Sequence, residues 1–173
     1  EHVKYHHDSA EELSMINYTS GTTGFSKGVM LPYRALWGNL DLMYDVIGKN
    51  IKKGSNVLSI LPMAHMYGQM VEFLAEFCFG NHIFFLTRLP SPSVVAQAFA
   101  EVKPAIVISV PMVIEKIIRK EIFPKVQTPK AKILMKMPGI GKKVKEYVHN
   151  MVMEVMGGNA YEVMVGGAGL NRE

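Results

Sequence analysis

The run Tyr18-Thr19-Ser20-Gly21-Thr22-Thr23-Gly24-Phe25-Ser26-Lys27-Gly28 concentrates hydroxyl side chains, glycines and one lysine in a short stretch. Glycine permits the positive φ angles that let successive backbone N–H groups converge on one point. Such a concavity, ringed by hydroxyl donors and closed by an ammonium, fits a polyphosphate. Clusters of Ser and Gly also mark plain surface turns. A plain turn has no need of this many donors together with a lysine, so the run is read as a phosphate loop.

It is not a Walker loop. That pattern places glycine before the lysine and Ser or Thr after it, with a helix starting there. Counted from Gly21, Ser26 occupies the second glycine position and Gly28 follows Lys27. Apolar, strand-like segments enter and leave the run, Leu13 to Tyr18 and Val29 to Pro32. No helix N-terminus is therefore at hand to receive the phosphates.

Two further stretches could do chemistry. Leu61-Pro62-Met63-Ala64-His65-Met66-Tyr67-Gly68 falls where a strand hands over to a buried helix, and in open α/β sheets ligands collect at that carboxyl end. Taken alone, His65 reads as a core histidine satisfied by its neighbours; in a cleft it would be the one polar group of an apolar pocket. Gly166-Gly167-Ala168-Gly169-Leu170 follows the last strand, and its small residues allow close backbone approach. His2, His6 and His7 lack a cysteine or spaced acidic partner and form a polar lead-in, not a metal site.

The elements that must position these residues follow from periodicity. Strands are expected at 13–18, 56–61, 82–87, 105–110 and 161–165, each a short run rich in branched or aromatic residues. Leu36, Leu40, Met43 and Ile47 recur at helical spacing within 33–49. The segment 66–79 is apolar on nearly all sides and predicts a buried helix closed by Gly80-Asn81. Ser91 or Ser93 caps a helix through Val102, Pro111 starts the next, and the clearest later helix runs from Lys142 to Met156. Strands alternating with helices give an α/β fold, a mainly parallel sheet with helices on its faces.

With these residues in view, the chain resembles the adenylate-forming, or AMP-binding, superfamily, and the form Leu-Pro-x-Ala-His-Met leans towards its long-chain fatty acid–CoA ligases. The phosphate-loop signature of that superfamily reads Tyr/Phe-Thr-Ser-Gly-Ser/Thr-Thr-Gly-x-Pro-Lys-Gly, and only Ser26, for proline, departs from it. Residues 62–68 are similar to its Pro-x-x-His-x-x-Gly motif, and 166–170 to its Gly-Gly-Ala-Pro-Leu turn, with Gly169 in place of proline. Ser109 to Ile117 is similar to a strand–helix segment and is assigned to structure. The resemblance covers the whole chain and implies part of a large N-terminal domain, with the C-terminal domain absent from these 173 residues.

It further implies that a carboxylic acid attacks the α-phosphate of ATP, and that coenzyme A then takes the acyl group from the adenylate. Lys27 and Thr23 are implied as catalytic residues. Thr19, Ser20, Gly21, Thr22, Thr23, Gly24 and Lys27 would hold the phosphates, Gly167, Ala168 and Gly169 would flank the adenine, and His65, Met66, Tyr67 and Gly68 would border the acyl chain. Mg2+ is implied with only part of its site present, because the motifs for its glutamate, for the ribose and for the C-terminal lysine are absent. The isolated piece is accordingly expected to be inactive. Two alternatives stay open: an aryl- or amino-acid-adenylating enzyme or module, and a phosphate-binding module without catalysis.

Composition bounds the rest. A hydrophobic content of 49% supports one sizeable core, and the single cysteine, Cys78, excludes an internal disulfide. The chain lacks an initiator methionine and ends just past the glycine turn, which predicts a piece of a longer protein. Without a signal peptide or a spanning apolar stretch it is expected in the cytoplasm. The net charge of +4 is concentrated in the basic region 116–145. Such a run is usually a solvated face and is also a candidate for peripheral contact with an anionic membrane. Without aromatic interleaving or a recognised motif, nucleic acid is not an expected partner.

Overall fold

The computed structural model describes residues 7–20, 25–129 and 141–169. The first two strands, β1 (Leu13–Ser20) and β2 (Ser26–Pro32), form an antiparallel ribbon separate from the main sheet. Its root is held by Tyr33 N–H donating to Glu12 O at 3.0 Å and Arg34 N–H to Ala10 O at 2.9 Å. The expected strands therefore exist, but they pair with each other, down to Ser20 opposite Ser26.

Helix α1 (Tyr33–Met43) continues into a π-wound turn, Tyr44–Gly48, and buries Met43 and Ile47 as their spacing requires. Next come β3 (Asn56–Ser59), a π-wound helical segment Gly68–Ala75 and its extension α2 (Glu76–Phe79). Gly80, at φ 73°, closes that helix in the left-handed region that glycine tolerates. Then follow β4 (His82–Phe85), α3 (Pro92–Val102), β5 (Ile106–Ser109), α4 (Pro111–Glu121), α5 (Phe123–Val126), α6 (Gly141–Val155) and β6 (Glu162–Val165). Ser91 caps α3, its Oγ accepting from Val94 N–H at 3.4 Å.

β3, β4, β5 and β6 form a parallel sheet in the order β4-β3-β5-β6. Successive residues on a strand face opposite ways, so a strand covered on both faces must be apolar throughout. β5 meets that demand over Ile106 to Ile108: Val107 joins an apolar layer with Leu58, Val95, Phe99, Ile114 and Ile117, while Ile106 and Ile108 join Val57, Met43, Ile47 and Met70 on the other side. Helices thus cover both faces.

Two strands end two residues earlier than periodicity indicates. β3 stops at Ser59 instead of Leu61, and β4 at Phe85 instead of Thr87. The helix read as apolar all round carries Glu72 and Glu76, each 0% exposed. Burial of two carboxyls on one helix face requires hydrogen-bond partners, and those partners explain the early end of β3.

Candidate functional site

The chain leaves β3 for the π-wound segment and β4, then returns through α3 to place β5 on the opposite side of β3. The strand order reverses here, and the carboxyl ends at such a reversal form a crevice. Residues 60–68 leave β3 at this edge, Val110 leaves β5, and Gly166 to Gly169 leave β6.

His65 does not sit in the core. It is exposed and starts the following helix: its backbone N–H donates to Pro62 O at 3.0 Å, its carbonyl accepts from Gln69 N–H at 3.0 Å, and its Nδ1 accepts from Tyr67 N–H at 3.2 Å. With Nδ1 accepting, the ring hydrogen of neutral His65 lies on Nε2. Met66, half-buried, packs on the layer containing Met70 and Ile106. Gly68 is required by close approach, since a Cβ there would lie 2.7 Å from Pro62 O and 3.1 Å from Leu61 Cβ.

Tyr67 joins this turn to the last one. A Cβ at Gly166 would lie 2.9 Å from Tyr67 Cζ and 3.0 Å from its Oη, so the phenol ring occupies the space a side chain would need. Tyr67 Oη donates to Met164 O at 3.5 Å. Its pKa is raised, first by burial and then by the negative charge of Glu72. Gly166 N–H donates to Ser109 O at 3.1 Å, and Gly167 turns the chain at φ 85°, a Cβ there lying 3.7 Å from Val110. Ala168 and Gly169 are exposed beyond it. The structure therefore brings Tyr67 into contact with Gly166, while the neighbour of Gly167 is Val110.

The ribbon reaches the same edge. Thr19 pairs with Lys27, Asn17 with Val29 and Met15 with Leu31, which puts Thr19, Lys27 and Asn17 on one face. Asn17 Nδ2 donates to Ala64 O at 3.4 Å, so that face is turned towards the His65 turn. Lys27 and Thr19 are exposed, and Ser20 pairs with Ser26 on the opposite face. On that second face Gly28 is closed by Ile16 and Tyr18, 3.0 and 3.4 Å from where its Cβ would be. Gly21, Thr22, Thr23 and Gly24 lie outside the described residues.

Glu72 and Glu76 were not among the sequence candidates. Burial raises both carboxyls, Glu76 to about 7, while hydrogen bonds from Leu61, Ile60 and Ser59 pull Glu72 back down and Asn81 does so for Glu76. Two cavities share no lining residue with 60–68, Val110 or 166–169. One of about 280 Å³ is lined by Phe84, Leu86 and Val94, the other of about 430 Å³ by Tyr44, Lys53 and Cys78. Among the described residues no group of three or more His, Cys, Asp or Glu could hold a metal ion. The exposed Lys116, Arg119, Lys120, Lys125, Lys142, Lys143 and Lys145 line α4 to α6, and Arg119 and Lys120 suit the last turn of α4.

A parallel sheet covered by helices on both faces, with an antiparallel ribbon reaching its carboxyl edge, is an open α/β fold whose crevice lies at the reversal of strand order. The chain belongs to the AMP-binding enzyme family, whose model matches residues 2–173. It is 32% identical over 111 residues to the long-chain-fatty-acid–CoA ligase ACSBG2 of Homo sapiens, covering 62% of this chain and 16% of that protein. Its fold matches the adenylation domain of a carboxylate reductase from Mycobacterium chelonae, with TM-score 0.67 and 21% identity over 94% of this chain and 24% of that one. ATP-bound MatB from Rhodopseudomonas palustris matches with TM-score 0.60 and 25% identity, over 93% of this chain and 25% of MatB. The chain thus spans about a sixth to a quarter of these relatives.

Proposed function

We propose that the complete protein is an ATP-dependent acid–thiol ligase that activates a long-chain fatty acid as its acyl-adenylate and passes the acyl group to coenzyme A. The observation that carries this reading is the Asn17–Ala64 hydrogen bond, which turns the ribbon face bearing Thr19 and Lys27 towards the His65 turn. A grip on phosphate and a border for the acid then share one crevice, with Gly167 across the Tyr67–Gly166 contact on the nucleotide side. The likeness to a long-chain-fatty-acid–CoA ligase and to ATP-bound MatB supports the choice of acid and nucleotide.

A carboxylate oxygen of the acid attacks the α-phosphorus, and the bond to the β,γ-pyrophosphate breaks. Phosphoryl-group chemistry of this kind depends on positioning and charge neutralisation more than on a protein nucleophile. Lys27, Thr19 and the Gly21–Gly24 segment with Thr22 and Thr23 would hold the departing pyrophosphate, whereas Ser20 lies on the ribbon's other face. The thiol sulfur of coenzyme A then attacks the acyl carbonyl carbon, and AMP leaves. The described residues do not by themselves make a Mg2+ site.

Acid-dependent exchange of labelled pyrophosphate into ATP by the complete protein tests the reading. Exchange driven by hexadecanoate is expected. Exchange driven instead by benzoates or amino acids would move the protein to another acid class, and exchange with no acid at all would leave a phosphate-binding module.

A further inference from the structure

β3 leaves the sheet before the chain reaches the His65 turn. Its pairing with β4 ends at Ser59 opposite Phe85, and Ser59 O accepts the last bond, from Leu86 N–H at 3.0 Å. The N–H groups of Ile60 and Leu61 have no strand to receive them, and a buried donor without an acceptor is costly. Glu72 receives both. Leu61 N–H donates to Oε2 at 2.9 Å, and Ile60 N–H is shared between Oε2 at 3.1 Å and Oε1 at 3.2 Å. The hydroxyl of Ser59 donates to Oε2 at 2.8 Å. Glu72 is 0% exposed, and all of these partners are neutral donors.

We infer that Glu72 is a positioning residue: its carboxylate replaces the missing neighbour strand at the exit of β3 and thereby fixes the turn that carries His65 and Tyr67. One side chain reaching back from the π-wound segment grips the two residues just before Pro62, and the Pro62–His65 bond closes the turn on that anchor. Tyr67 then reaches Gly166 from a fixed origin. The geometry stands on its own; the consequence for the acid substrate rests on the function proposed above.

Hydrogen exchange in the complete protein, followed peptide by peptide, separates the two. In Glu72→Leu, exchange across residues 60–66 should rise by about tenfold or more, while 105–110 in β5 stays within about threefold of wild type. Glu72→Gln keeps an acceptor oxygen at the Oε2 position and should return 60–66 to wild-type exchange. Should the Leu variant not fold, Glu72→Asp, with the carboxylate drawn back by one methylene, carries the same expectation. In turnover assays KM for the acid should rise about tenfold in the Leu or Asp variant with KM for ATP held, and Gln should recover it. Unchanged exchange at 60–66, or an equal rise at 105–110, overturns the inference. So does a Gln variant as impaired in turnover as the Leu variant, because the charge itself would then be acting. Selective exchange in a protein that turns over no acid supports the positioning role while removing the ligase reading.

Discussion

The side-chain amide of Asn81 donates to the buried carboxyl of Glu76 at 2.6 Å and leaves two buried acceptors, Glu76 Oε1 and Asn81 Oδ1, without a partner. A proton on Glu76 supplies the donor that this pair lacks. Burial raises the pKa of Glu76 from 4.5 to about 7, with Glu72 one turn away adding to the rise against the Asn81 bond.

Because Glu76 holds its proton more tightly when folded, its contribution to stability is complete below about pH 4.5. It declines as the pH rises towards 7 and is gone above that. The loss amounts to roughly 3 kcal/mol. Glu76→Gln offers Asn81 one acceptor and one donor at every pH. Denaturant titrations should show a shallower loss of stability for this variant between pH 5 and 8, and a more stable protein than wild type at pH 8; parallel pH profiles would refute the protonated pair.

Gly157 turns the chain at φ 94° after α6, and a Cβ there would meet Phe99 O at 2.3 Å and Lys103 Cα at 3.0 Å. Both the backbone angle and the contact oppose any side chain. Gly157→Ala should cost about 3 kcal/mol. Gly54 has a similar φ of 82° with nothing within 4 Å, so Gly54→Ala should cost only the backbone strain, about 1 kcal/mol. Chemical unfolding of both variants checks the difference.

Lys27 is exposed and lies opposite Thr19 on the ribbon. Removing it should leave the unfolding midpoint unchanged. Lys27→Ala should slow adenylate formation in the complete protein by about 100-fold or more, as loss of a preorganised charge contact on the reacting phosphates does. Single-turnover release of pyrophosphate measures it, and an unaltered rate would take the lysine out of the proposed chemistry.

No helix among the described residues is long and apolar enough to cross a membrane. The basic side chains of α4 to α6 are proposed to meet an anionic bilayer surface. Replacing Lys142, Lys143 and Lys145 by Gln should weaken sedimentation with vesicles rich in phosphatidylserine by about 1 kcal/mol per charge, lost in high salt. Equal binding to neutral vesicles would show that these lysines only keep the helix solvated.

Much of this architecture was legible in the chain. Leu36, Leu40, Met43 and Ile47 mark a helix by their period, and Ile106 to Ile108 mark a strand buried on both faces. What was not legible depended on partners far along the sequence. Period alone cannot say that β1 and β2 pair with each other, since an apolar run fits an antiparallel ribbon as well as a parallel sheet. Nor can it say that β3 stops at Ser59, which follows from a carboxylate 13 residues away taking the next two N–H groups. A signal for Glu72 and Glu76 was present: two acids spaced four apart in an otherwise apolar helix need buried partners. The site divides similarly, because residue types located His65 to Gly68 and Gly167, whereas Tyr67 against Gly166 required coordinates.

The pairing order gives the two sides of the crevice different ages during folding. The ribbon joins neighbours in sequence, and contacts of that kind form within about 1–10 μs. The seam between β5 and β6 joins Ile106 to Glu162 across a long stretch of chain, and non-local parallel pairing is slow. The Lys27-bearing ribbon is thus expected to form before the Gly166 turn, so a chain stalled late in folding holds a finished ribbon beside an edge that still lacks the β5–β6 seam.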